Sequence, residues 1–167
     1  MNAHDRVRKE FIREAARMFG GGYHCSEIMF SLATRAWARA VDPDLARIAS
    51  GFGGGIGEAG DLCGCVTGGV MAIGLLHGRT DAKAGNPPAY RLSREYHDRF
   101  QDVNGFLQCR DHTGGKFDRR SLRRCTQVVM RGLDILLDLL EENQDVVSPW
   151  RLDKIRPLAQ ATESSAD

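Results

Sequence analysis

Residues 51–77 read GFGGGIGEAGDLCGCVTGGVMAIGLLH. Nine glycines and two cysteines fall in positions 51–69. The second half of the stretch, Leu62 to His77, carries no charge before its closing histidine and is apolar nearly all round. That is the pattern of a buried helix. Gly60, Gly64, Gly68 and Ala72 recur every four residues. At ~3.6 residues per turn they form a stripe almost free of side chains, along which another backbone can approach closely. Glycine inside a helix costs about 1 kcal/mol relative to alanine, so close packing or a bulky inorganic ligand must offset it. The stretch predicts an all-α fold arranged around a central Gly-rich apolar helix.

The flanking sequence agrees. A first helix is expected from about Asp5 to Phe19, with Val7, Phe11, Ala15 and Phe19 on one face and Gly20 to Gly22 as its stop. A second runs from near His24 to about Ala40, with Cys25, Ile28, Met29, Leu32, Ala36 and Ala40 facing inward. A short helix, roughly Pro43 to Ser50, leads into the glycine loop. Pro87-Pro88 suits the start of another helix, whose inner face is Leu92, Tyr96, Phe100, Val103 and Leu107. Thr113-Gly114-Gly115-Lys116 is a turn. The last long helix is expected over about Asp118 to Glu142, with Leu122, Cys125, Val129, Leu133, Leu136 and Leu140 in one stripe. No run of alternating β-branched residues marks a strand. The expectation is a single compact domain of five to six helices over 1–156, with a flexible tail over 157–167.

Bulk composition narrows the partners. The chain has 167 residues, enough for one self-sufficient core, and a formal net charge of +1. Near-neutrality gives no reason to expect nucleic acid or an anionic membrane. The densest basic run, Arg119, Arg120, Arg123 and Arg124, reads as a solvated helix start. The amphipathic N-terminus lacks the apolar core of a secretory signal. The longest uncharged apolar run, Leu62 to Leu76, is too short for the ~20 residues that cross a bilayer. A cytoplasmic location is therefore expected.

In a reducing compartment structural disulfides are disfavoured, so the five cysteines gain interest as redox or metal-binding groups. Cys25 and the pair Cys63 and Cys65 fall in the first turns of two separate helices. There the positive end of the helix dipole and unpaired N–H groups favour thiolate. Cys109 sits at a helix end or in the loop after it, and Cys125 lies on the inner face of the last helix. All five lie near element ends, where distant segments can converge. No CxxC pair, zinc-ribbon spacing or CxxCH haem motif is present. Well-separated cysteines could hold an iron–sulfur cluster or exchange disulfides. As an alternative they could bind zinc or copper(I) without redox turnover, or serve as core filler in a helical interaction module. Gly54, Gly55 and Gly64 are the expected cofactor-side glycines, turning backbone N–H groups toward anionic sulfur.

A nucleotide reading of the glycine loop fails. No strand precedes the glycines, no acidic residue at the end of a second strand follows, and no Gly-Lys-Ser/Thr is present. Glu58 and Asp61 read as caps of the following helix. His24 reads as a solvated helix-start residue and His77 as the closing residue of the apolar helix. His112 is the histidine next suspected as a ligand.

Together, HCSEIMF around Cys25, GFGGGIGEAGDLCGCVTGGVMAIGL, Phe106-x-x-Cys109-Arg110 and Cys125 resemble the C-GCAxxG-C-C proteins, small redox-active proteins of bacteria and archaea. The resemblance spans roughly residues 8–140. It implies an all-helical fold with Cys25, Cys63 or Cys65, Cys109 and Cys125 as the functional groups. A more distant similarity to the N-terminal part of split-Soret cytochromes makes an iron–sulfur cluster the cofactor to test. The family pattern has alanine after its central cysteine, where this chain has Val66 after Cys65. The pattern can also be laid on Cys63, and both thiols stay candidates. The electron partner is open, and so is the oligomeric state, for which the apolar helices and the relative's habit leave a homodimer as a guess.

Overall fold

The computed structural model describes residues 3–36 and 43–143. Six α-helices follow one another among them: α1 Ala3–Gly20, α2 Cys25–Ala36, α3 Gly64–His77, α4 Pro88–Asn104, α5 Cys109–Thr113 and α6 Arg119–Glu141. Two 3-10 segments, Pro43–Phe52 and Ala82–Ala84, complete the described architecture. Among the described residues there is no strand, only an isolated antiparallel bridge between Leu62 and Gln108. The fold is all-α. No helix in the described residues is long and apolar enough to cross a membrane. The expected boundary at 156 and the tail lie outside the described residues.

The two glycines of the stripe do what their spacing predicts. The α2–α3 contact is the most extensive helix pair in the molecule. A methyl group at Gly64 would stand 2.5 Å from Cys25 Sγ and 3.1 Å from the Ser26 nitrogen. At Gly68 it would drive into the Ser26 carbonyl oxygen and stand 2.9 Å from Met29 Cβ. α3 also packs on α4, α6 and the first 3-10 segment, so it is central as expected. It shares that place with α2, which is buried from Ile28 to Thr34 without a break. Leu75, near the end of α3, is exposed, so the inner position belongs to the N-terminal two-thirds of that helix.

The inner faces differ from expectation in detail. On α1 the core takes Phe11, Ala15 and Met18, and Phe19 is only half-buried. Steps of four and three follow the helical period better than steps of four alone. On α4, Leu92, Tyr96 and Phe100 are wholly buried, whereas Val103 is exposed. The helix ends at Gly105, and Phe106 folds back edge-on to Phe100 with ring centroids 6.1 Å apart, covering the space Val103 was assigned. On α6, Val129, Leu133, Leu136 and Leu140 are buried as expected, joined by Val128, Ile135, Leu137 and Leu139. The side chains of Val7, Ala36 and Leu122, and all of Ala40, lie outside the described part.

Tyr96 fixes the α3–α4–α6 junction. Its ring fits only because Gly69 and Gly132 lack side chains; a methyl at Gly69 would come 2.7 Å from the ring Cζ. Its hydroxyl donates to the Cys65 carbonyl at 3.1 Å. Tyr96→Phe keeps the ring and removes one buried hydrogen bond. We expect it to cost about 1 kcal/mol, read by chemical denaturation. Surface ion pairs add little by comparison, typically about 0–1 kcal/mol each. Arg8 reaches Asp134 at 3.0 Å and also pairs with Asp138, pinning α1 to α6.

Candidate functional site

Three helix starts meet at one point, and local interactions hold each of them. His24 precedes α2, and its N–H donates to Glu27 Oε2 at 2.8 Å. Glu27 Oε1 accepts from the Ser50 hydroxyl at 2.7 Å, and the Ser26 hydroxyl donates to the Ala49 carbonyl at 2.8 Å. These contacts clamp the first 3-10 segment against the residues around Cys25. Cys63 sits at the N-cap of α3 with no side-chain capping bond. The expected caps, Glu58 and Asp61, do not cap this helix. Asp61 instead gives its backbone to a short zipper. The Cys109 N–H donates to the Asp61 carbonyl at 2.7 Å, and the Cys63 N–H donates to the Leu107 carbonyl at 2.8 Å. The zipper pulls the start of α5 onto the start of α3, so Cys109 opens a helix rather than trailing one.

The thiols converge. All five are free, and Cys25, Cys63, Cys65 and Cys109 are buried, while Cys125, in the second turn of α6, is half-buried. Cys65 neighbours both Cys25 and Cys63. Cys109 feels the charge of Cys63 and Cys25, and Cys125 feels that of Cys25, Cys109 and Cys63.

The electrostatics distinguish one sulfur from the rest. The Cys65 S–H holds the Cys25 thiol below its ordinary pKa; burial opposes this, and the N–H groups of Gly54, Ser26 and Cys25 itself add to it. Cys65 is pushed well up, by burial first and then by the bonds it donates. Burial and neighbouring charge push Cys109 up to about 11, against a pull from the Thr113 hydroxyl. Burial, then the charges of Cys25, Cys109 and Cys63, push Cys125 up to about 12, with Arg124 pulling down. Cys25 is thus the thiol shifted downward, while Cys65, Cys109 and Cys125 are shifted upward.

A stability prediction follows. A thiol ordinarily titrating near 9.0 keeps its proton in the folded chain to about 11 or 12 at Cys109 and Cys125. Above pH 9 the unfolded chain binds fewer protons than the folded one, so stability falls as pH rises. Cys25 acts oppositely: its contribution is present above its unfolded pKa and lost as pH falls through its folded value. We expect the melting temperature to drop steadily between pH 9 and 11, and the C109S/C125S double variant to flatten that drop in scanning calorimetry.

The glycine loop supplies the amides. Gly54 to Glu58 all lie in left-handed backbone, with φ of +64°, +73°, +61°, +58° and +65° in turn. The Gly54 N–H is among the groups that lower the Cys25 thiol pKa. Gly55 lies under Cys109, where a methyl would stand 2.7 Å from the Cys109 Cβ. Gly64 lies under Cys25 Sγ, so all three glycines named from the sequence border the thiols. The sequence reading missed the Ser26 amide, the Tyr96 hydroxyl behind Cys65, and the left-handed run, whose Ile56 and Glu58 carry no local signal for that backbone. His24 is exposed, with its ring against Gly53. His112 stacks on Phe106 with centroids 4.7 Å apart. Burial lowers its pKa, with Arg124 and Arg131 as charged neighbours. Arg123 and Arg124 are exposed, as the solvated reading of the basic run expects. Among the described residues, no three of His, Cys, Asp and Glu are placed to hold a single metal ion.

An all-α domain with five free cysteines, four of them buried, defines a cysteine-based class of protein. The comparison with known families names it further. A sequence model of the family described as "Putative redox-active protein (C_GCAxxG_C_C)" matches residues 23–139, and the chain belongs to that family. A protein of Archaeoglobus fulgidus described as uncharacterized is 25% identical over 143 residues, 79% of this chain and 94% of the relative. No solved structure matches.

Proposed function

We infer that the chain is a dithiol redox protein in which Cys25 attacks and Cys65 resolves. Family membership supports redox activity. What carries the finer reading is the Cys25 thiol, held below its ordinary pKa chiefly by neighbouring Cys65, with the Gly54 N–H adding to the effect. Donors aimed at a sulfur stabilise thiolate, the nucleophilic form. Cys25 is 8% exposed and Cys65 1%, so the sulfur with thiolate character is also the one a substrate reaches first.

The substrate class is a disulfide, RSSR. The Cys25 thiolate attacks one sulfur, a mixed disulfide forms, and RS⁻ leaves. Cys65 gives up its proton to a departing thiolate and attacks Cys25 Sγ, releasing the second RS group. The sum is Cys25–S⁻ plus Cys65–SH plus RSSR, giving the Cys25–Cys65 disulfide, RS⁻ and RSH. Two electrons pass from the protein to the substrate. Reversal reduces the protein.

A second reading, an iron–sulfur cluster, draws on the convergence of all five thiols. A cluster takes all its ligands as thiolates, whereas here one thiol is shifted down and its neighbour well up, which suits an unequal dithiol pair.

The test is anaerobic purification from iron-replete cells, with iron, sulfide and zinc analysis, followed by oxidation with a small organic disulfide and peptide mapping. A metal-free protein that yields a Cys25–Cys65 disulfide supports the dithiol. A brown protein with stoichiometric iron and sulfide replaces it with the cluster, and stoichiometric zinc replaces it with a non-redox site. The influence of Cys65 on Cys25 is checked by Cys65→Ala. Its loss moves the pH midpoint of Cys25 alkylation upward and slows alkylation at pH 7 by roughly ten-fold, read by iodoacetamide labelling.

A further inference from the structure

The glycine loop is a left-handed arch closed by its own backbone. The Gly57 N–H donates to the Gly51 carbonyl at 2.9 Å, and the Gly60 and Asp61 N–H groups donate to the Gly54 and Gly55 carbonyls, each at 3.1 Å. Glycine suits such backbone, and the chain has glycine at 54, 55 and 57. At 56 and 58 it does not. Ile56 has φ +61° and Glu58 φ +65°, where L-residues are disfavoured and a β-branched one most of all. The fold does not explain these two side chains. Ile56 is 48% exposed and Glu58 is exposed, and among the described residues the Glu58 carboxylate has no hydrogen-bond or ionic partner. Exposed side chains kept on strained backbone point to a use outside the fold.

Both belong to the surroundings of Cys25. The Ile56 N–H meets the Phe52 carbonyl at 3.4 Å. A methyl at Gly64 would stand 3.2 Å from that same carbonyl oxygen and 2.5 Å from Cys25 Sγ. The Glu58 N–H meets the Gly53 carbonyl at 3.1 Å, and Gly53 lies against the ring of His24, the residue before Cys25. Tyr23 and Ile48, in the segments that flank the start of α2, are also exposed apolar residues. Across residues 51–63 the charged side chains are Glu58 and Asp61, both acidic and both exposed.

We propose that Ile56 and Glu58 are specificity-determining residues that select a disulfide-bearing polypeptide with an aliphatic and a basic residue next to its cysteine. The proposal rests on the dithiol reading and names the substrate class within it. Ile56 covers the aliphatic side chain and Glu58 pairs with the cation while Cys25 Sγ attacks the cysteine between them. The internal bonds of the arch fix both residues before contact, so little ordering is lost on binding. The redox step keeps the balance given above: the Cys25–Cys65 disulfide forms, the substrate disulfide takes two electrons, and RS⁻ and RSH leave.

The experiment mixes the reduced full chain with symmetric disulfides of three capped peptides, Leu-Cys-Lys, Gly-Cys-Lys and Leu-Cys-Glu, and follows the second-order rate at pH 7 by acid quench and mass spectrometry. Reduction of the same disulfides by dithiothreitol sets their intrinsic reactivity. After that correction, leucine is expected to be preferred over glycine by roughly five-fold and lysine over glutamate by roughly three-fold. Ile56→Asn should remove the leucine preference and keep the lysine preference, Glu58→Gln should do the reverse, and Ile56→Leu should retain both. Asparagine accepts left-handed backbone, so Ile56→Asn should melt no lower than the wild type. Leu75→Asn, at an exposed residue near the far end of α3, should change neither preference. Equal corrected rates for the three peptides, with the Cys25–Cys65 disulfide confirmed by peptide mapping, overturn the specificity and leave the dithiol intact. An Ile56→Asn variant that melts lower with both preferences kept assigns Ile56 to the fold and overturns its role. Absence of that disulfide with every peptide overturns the dithiol reading and the specificity together.

Discussion

Cys25→Ser is expected to slow reaction with organic disulfides by roughly 100-fold or more at pH 7, while the protein still folds. The hydroxyl is isosteric enough to sit on Gly64 and to accept the Gly54 and Ser26 amides, but it is not a nucleophile at this pH. Three of the four remaining thiols do not compensate. Cys65, Cys109 and Cys125 are all pushed up, so little of each is thiolate at neutral pH. Cys63 then becomes the thiol to watch, and mapping of the residual labelled peptide identifies whether it carries the remaining rate. Stopped-flow reaction with dithiodipyridine, with circular dichroism to confirm folding, is the measurement. A variant that retains the wild-type rate would remove Cys25 from the chemistry.

Gly68→Ala is expected to be strongly destabilising. The added carbon meets the Ser26 carbonyl oxygen, which is backbone in the first turn of α2, and Met29 Cβ at 2.9 Å. Neither can rotate away, so the two helices must separate along their whole contact. Overpacking of this kind costs about 3 kcal/mol. For a domain of this size that is a fall of roughly 6–12 °C in melting temperature. Gly64→Ala meets a sulfur at 2.5 Å instead, and a side chain can shift more easily than backbone. It should cost less stability than Gly68→Ala yet displace Cys25 from its donors, so the two variants separate packing from chemistry. Scanning calorimetry on both, together with the alkylation rate of Cys25, reads the difference.

Much of this was legible along the chain. The repeat at Gly64 and Gly68 announced a close helix–helix contact, and the buried Leu92, Tyr96 and Phe100 of α4 fell at the period expected. The helix ends were less legible. Val103 continues an apolar period and yet is exposed, because Phe106, beyond the helix, returns to occupy the site. Cys109 looked like a trailing residue, because nothing local marks it as a helix start. Its position comes from Asp61 and Leu107 meeting across the chain.

The sequence alone determined that the protein is helical, that two helices approach over glycine, and that Cys25, Cys63 and Cys65 stand at helix starts. These are local properties, set by the 3.6-residue period and by the absence of a side chain. Tertiary structure alone decided that Gly64 lies against the Cys25 sulfur, that the start of α5 lies on the start of α3, and that Ile56 and Glu58 accept left-handed backbone. Those outcomes depend on contacts between residues tens of positions apart, such as the hydrogen bonds from the Cys109 N–H to the Asp61 carbonyl and from the Cys63 N–H to the Leu107 carbonyl. No local pattern encodes such a bond, because its donor and acceptor become neighbours only when the helices pack.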